Sequence, residues 1–193
     1  MKRQHQVELI AATLAFSWLA MQAVHEFGHV SAGLVSGGRV AEVILHPATI
    51  SLTRLTVNPQ PVFVTGMGPV IGCLLPVLAL AVARWRRWRG WYVFQFFAGF
   101  ALIANGAYIA LGSLSGIGDA GDLLRYHSPI WLLWLFGLIT IPIGLWLWND
   151  LGPHFGLGAK PNSVDAAVAH FMFAAVLAVV LLEITYSSSV ATP

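Results

Sequence analysis

Charge is what this chain has least of. Its 193 residues include ten lysines and arginines and eight aspartates and glutamates, 9% of the total, where a soluble domain carries about 25%. So little charge over so much apolar sequence (58% hydrophobic) excludes an ordinary water-exposed surface and points to a bilayer setting. Cysteine is nearly absent as well. The single Cys73 rules out an intrachain disulfide framework, and its apolar surroundings mark it as a small packing residue. Aspartate occurs only four times, at positions 119, 122, 150 and 165. Residues so scarce are informative where they fall inside apolar sequence.

What is present is a set of long apolar runs. Segments at about 7–35, 61–83, 91–112, 130–148 and 166–186 each reach the roughly 20 residues that cross a bilayer. The first exceeds that length, so it tilts or protrudes. The segment at 39–57, RVAEVILHPATISLTRLTV, has a different texture. Alternation in its first half, a His-Pro turn and a β-branched second half predict a short β-hairpin. An open sheet edge is not tolerated against lipid. The hairpin therefore lies at the interface or packs on protein, either as a plain connection or as an edge that pairs with an extended substrate segment. The expected fold is all-α and polytopic, about five transmembrane helices with a β-hairpin between the first two, as a single integral membrane domain over 1–193.

Lysine and arginine set the expected orientation. Lys2 and Arg3 precede the first span, Arg84, Arg86, Arg87 and Arg89 lie between the second and third, and Lys160 lies between the fourth and fifth. All fall on one side, which predicts a cytoplasmic N-terminus. The opposite loops hold only Arg39, Arg54 and Arg125. Trp85, Trp88 and Trp91 interleave with the arginines as an interfacial belt. A basic stretch confined between two spans is explained by anchoring, so no nucleic-acid partner is expected. Met1 to Ala23 has a basic start and an apolar core like a signal peptide. Its core is long and runs on past any small-residue cleavage site, so an uncleaved span is expected.

The first span contains His25-Glu26-Phe27-Gly28-His29, after an uncharged run from Leu9 to Val24. Four-residue spacing on a helix puts both imidazoles on one face, where they can hold one metal ion. Glu26 is placed to act as base on a water activated by that ion. Ionisable residues inside a span are costly and default to function. Catalytic zinc usually takes three protein ligands, and the third is expected in Gly116-Ile117-Gly118-Asp119-Ala120-Gly121-Asp122. By topology this segment lies on the same side as the C-terminal half of the first span, which brings Asp119 or Asp122 toward the histidines. A solvated turn with a capping aspartate would read the same way. His46 and His127 fall on that side too. Asn105, a lone amide in the apolar run 98–110, either binds another helix or supports the site, for instance as a donor to a developing oxyanion. Glu8 and Glu183 are expected at the interface. Asp150 and Asp165 are expected in loops, with Asp165 placed to cap the fifth span.

The motif at His25 to His29, the stretch Gly66-Met67-Gly68-Pro69-Val70-Ile71-Gly72 and the residues from Asn105 through Asp122 together resemble the site-2 protease family of intramembrane zinc metalloproteases. The nearest resemblance is to compact members without a PDZ domain. The resemblance implies a zinc ion on His25, His29 and Asp119, with Glu26 and Asn105 as catalytic residues. It also implies a substrate that is a membrane-embedded segment of another protein. This chain has Gly118-Asp119-Ala120 where the family has a Leu-Asp-Gly type motif, and it lacks the proline that precedes it. The choice between Asp119 and Asp122 stays open on that account. A metal-binding transporter, an inactive scaffold or a lipid hydrolase would fit the residue types as well. The complete HExxH argues against the first two, and the hairpin favours a peptide substrate over a lipid. The sequence sets no oligomeric state.

Overall fold

A computed structural model describes residues 2–158 and 164–190. Lys160, used above for orientation, lies outside the described residues. The element order is α1 (Lys2–Val35), β1 (Arg39–Ile44), β2 (Leu52–Val57), α2 (Pro61–Trp85), α3 (Trp91–Ser115), α4 (Gly118–Arg125), α5 (Ile130–Trp148), a 3-10 turn (Gly152–Phe155) and α6 (Ala166–Val190). Five of these helices are long and apolar enough to cross a membrane, and they coincide with the five expected spans. The protein is thus an all-α polytopic chain with a two-stranded hairpin after its first helix.

Two boundaries differ from expectation for physical reasons. Helix α1 starts at Lys2, because Lys, Arg and Gln are good helix formers and extend the helix beyond the apolar stretch. Its 34 residues span about 51 Å at 1.5 Å per residue, well beyond a bilayer core of about 30 Å. The glycine-rich segment after α3 is a short helix, not a turn. Gly116 ends α3 in the left-handed region at φ 62°, and α4 begins two residues later. Ala120 and Leu123 on α4 pack with Ile109 of α3 and Leu133 of α5, which fixes the helix over the end of the bundle.

Helices α3 and α5 pack closely, where Gly106 and Gly137 bring backbones near enough that a Cβ on Gly137 would meet the carbonyl of Gly106. Small residues at such crossings are how helices associate without a hydrophobic driving force. Leu9 and Ala12 of α1, Tyr92 and Val93 of α3, and Ala169 and Met172 of α6 close the opposite end around Phe155. Asp165 caps α6 by accepting the N–H of Ala167 at 3.0 Å and pairs with Arg89 at 2.8 Å. Arg84 lies over the Trp91 ring, 4.7 Å from its centroid, in keeping with an interfacial belt. Glu183 is buried in α6, with one carboxylate oxygen unpaired among the described residues.

The hairpin pairs β1 and β2 antiparallel, with Arg39 opposite Val57 and Ile44 opposite Leu52. It folds back on α1. Gln22 on that helix accepts the N–H of Ser51 at 2.9 Å, so the start of β2 is fixed beside the motif.

Candidate metal centre

His25, Glu26 and His29 are all buried, six to ten residues before the C-terminal end of α1. That places them about 9–15 Å in from the helix end. The face they share meets α2 at backbone contact distance. A Cβ on Gly28 would strike the carbonyl of Met67, and one on Gly68 would occupy the space of both imidazoles. Gly66, by contrast, faces open space. The glycines of α2 therefore have separate uses: Gly68 makes room for the histidines, and Gly72 makes room for the Asn105 carboxamide.

Three ligating atoms converge. His25 Nε2 lies 2.8 Å and His29 Nε2 3.2 Å from Asp119 Oδ2, and the two nitrogens are 3.1 Å apart. The chain brings Asp119, not Asp122, to the histidines. Asp122 is half exposed and pairs with Arg125 on its own helix at 2.6 Å.

The protonation of the histidines follows from their far sides. Asn105 places one amide atom 2.9 Å from the Ala101 carbonyl, which can only accept, so that atom is Nδ2. Its other atom, Oδ1, accordingly accepts from His25 Nδ1–H at 2.6 Å. His29 Nδ1–H likewise donates to the Val64 carbonyl at 2.9 Å. Both Nε2 atoms are then left with a lone pair, and both point at a carboxylate oxygen. The Asp119 carboxylate oxygen is the third acceptor of the set. Three acceptors within 3.2 Å of one another form a group that could hold a metal ion. Tetrahedral zinc with bonds of about 2.0–2.2 Å sets its ligands about 3.3–3.6 Å apart; the three atoms lie slightly closer, at 2.8–3.2 Å, and the donor set fits zinc in type and number. The hydrogen bonds from the distal ring nitrogens are the second-layer support that such ligands normally have.

Asn105 reaches the site from α3, within the two roles expected of it, since it bonds another helix at the site. Its carbonyl oxygen accepts from His25 and its amino group donates to the Ala101 carbonyl, an arrangement that orients the His25 ring. His46 sits at the hairpin tip, accepting the N–H of Ala48 at 3.2 Å. His127 follows α4 with φ 63°. Neither lines the cleft of about 470 Å³ that holds the three ligands, Glu26, Thr53 and Tyr108.

Three contributors were not foreseen from sequence. The Tyr108 hydroxyl accepts the N–H of Asp119 at 3.1 Å and its ring stands 5.8 Å from that of His25, so it ties the start of α4 to the site. Its spacing of three from Asn105 on one helix face was the available signal. The other two are Ser51 and Thr53. Ser51 donates to Glu26 Oε1 at 2.7 Å and Thr53 to Oε2 at 2.6 Å. Both carboxylate oxygens are therefore held by hydroxyls from the hairpin. A hydrogen bond to a charged group contributes about 1.5–3 kcal/mol. Removing both, in Ser51→Ala/Thr53→Val, is expected to lower kcat at least about tenfold by freeing the Glu26 rotamer. Zinc content and KM should stay near wild type. Steady-state cleavage kinetics beside metal analysis checks this, and an unchanged kcat would refute it.

A family model described as Peptidase M50B-like matches residues 7–114, which contain the two histidines, Glu26, the hairpin, Gly68 and Asn105. No curated protein and no solved structure shows significant similarity to the chain.

Proposed function

Because this chain belongs to the Peptidase M50B-like family, and with it to the site-2 protease type of membrane peptidase, we propose that it is a zinc endopeptidase. Its substrates are peptide bonds in or near transmembrane segments of other membrane proteins. The observation that carries this reading is the convergence of His25 Nε2, His29 Nε2 and Asp119 Oδ2 in the same cleft as a buried carboxylate, Glu26. Zinc on those three atoms would polarise a peptide carbonyl and lower the pKa of a water toward about 7.

The chain's own residues supply the rest. Glu26 takes the proton of the attacking water and delivers it to the departing amine. Ser51 and Thr53 keep its carboxylate in place for both transfers. Asn105 and the Val64 carbonyl fix the imidazoles, and Tyr108 fixes the backbone of Asp119. The cleft is lined by polar groups from α1, β2, α3 and α4, so water can reach a site that lies within membrane depth. A helical peptide bond is shielded by its own hydrogen bonds and must unwind to enter. Strand β2 lines the cleft along Leu52 to Leu55, where an extended segment can pair with it. We place the N-terminus in the cytoplasm, on the lysine and arginine distribution.

The test is cleavage of a single-span substrate by the full chain reconstituted in vesicles. Cleavage is expected to stop with a zinc chelator and to return when zinc is added back. Cleavage that persists in metal-stripped protein would overturn the reading.

A further inference from the structure

The far end of α1 carries a second group of metal-ligating side chains, which the proposed chemistry does not use. His5 and Glu8 lie one turn apart on α1, and His170 projects from the second turn of α6. Nδ1 of His170 lies 2.8 Å from Glu8 Oε1, and Nδ1 of His5 lies 3.6 Å from Oε2. The two imidazoles stand edge to face with centroids 5.1 Å apart. One ligand atom from each residue lies within 4.8 Å of the others. His5 is twenty residues before His25, about 30 Å along the helix, so this group is separate from the first site.

Two further observations point to a ligand. Nδ1 of His5 is buried and has no hydrogen-bond partner. Its 3.6 Å separation from Glu8 is too long for a hydrogen bond, yet within the spacing of about 3.3–3.6 Å between two ligands of one tetrahedral ion. A buried nitrogen without a partner is unfavourable, and an ion shared with Glu8 would satisfy it. The second observation concerns α6. It packs chiefly on α1, and with 17% of its apolar window buried it is the least enclosed of the five spans. A bond across these two helices therefore acts where the bundle is loosest.

We propose that His5, Glu8 and His170 form a second site for a divalent transition metal of the zinc class, which staples α6 to α1 at the end of the bundle remote from the first site. Two imidazoles with one carboxylate suit zinc, cobalt or nickel and not magnesium or calcium. The ligands come from both helices, so the site is complete only when α6 is docked. An ion that binds only the docked form stabilises it by mass action.

The test uses the full chain in detergent with His25→Ala/His29→Ala, which removes the first site. Metal-stripped protein is titrated with Co²⁺ and with Zn²⁺, followed by visible absorption, by bound metal and by the temperature of helix melting. About one ion per chain should bind, with a rise in melting temperature. Adding His5→Ala/His170→Ala should abolish both. Glu8→Gln and His170→Gln, which keep the side-chain size, should each weaken binding about a hundredfold or more, since loss of even a supporting residue costs 10–100-fold. Circular dichroism and gel-filtration elution matching the parent show that these variants are folded. Absence of binding in the parent, or binding that survives in Glu8→Gln and His170→Gln, would mean that the cluster is an ordinary histidine–carboxylate contact, and would overturn the proposal.

Discussion

Glu26→Gln is expected to lose cleavage by about a thousandfold, the middle of the range for removing a general acid–base group, while keeping its zinc. The side chain is buried and its two oxygens accept hydroxyls from Ser51 and Thr53. Glutamine has the same shape. Its carbonyl still accepts one hydroxyl, and its amino group donates to the other, because a hydroxyl can turn to accept. The variant should therefore fold and dock its hairpin as before. Only the capacity to take a proton is gone. The ligand atoms on His25, His29 and Asp119 are untouched, so metal content should equal that of wild type. Cleavage kinetics and metal analysis on one preparation check both halves. Substantial activity in this variant would remove Glu26 from the mechanism.

The second large effect separates two aspartates three residues apart. Asp119→Ala removes the anionic ligand and leaves two imidazole lone pairs, 3.1 Å apart, with nothing to balance a cation. Activity should fall by at least about a hundredfold, the loss that even a supporting residue of a metal site can cause. Asp122→Ala removes an exposed partner of Arg125. A surface ion pair contributes about 0–1 kcal/mol, so activity should stay within about twofold of wild type. Cleavage rates of the two variants at equal protein concentration make the comparison.

The spans and the hairpin were legible because each depends on local sequence: apolar length for the helices, alternation and a turn for the strands. His25, Glu26 and His29 were legible because their spacing on one helix is itself the geometry. The candidate site beyond that helix is tertiary. Asp119 and Asp122 differ in sequence by one helical turn, and only the seating of Ala120 and Leu123 against Ile109 and Leu133 decides which faces the histidines. Asn105 stood out as a buried amide, but its partners are set by α3 crossing α1, so its role in orienting His25 was hidden. Ser51 and Thr53 are unremarkable in a β-rich segment, and they matter because the hairpin folds back over α1. The separate uses of Gly68 and Gly72 likewise depend on which side chains from α1 and α3 come to rest against them.

The most direct test of the metal centre is zinc content per chain in detergent-purified wild type, His29→Ala, Asp119→Ala and Asp122→Ala, prepared without chelator. Loss of about one ion per chain in His29→Ala and in Asp119→Ala, with Asp122→Ala equal to wild type, is the expected result. Zinc content unchanged in Asp119→Ala, or lost in Asp122→Ala instead, would contradict the ligand set on which the proposed chemistry rests.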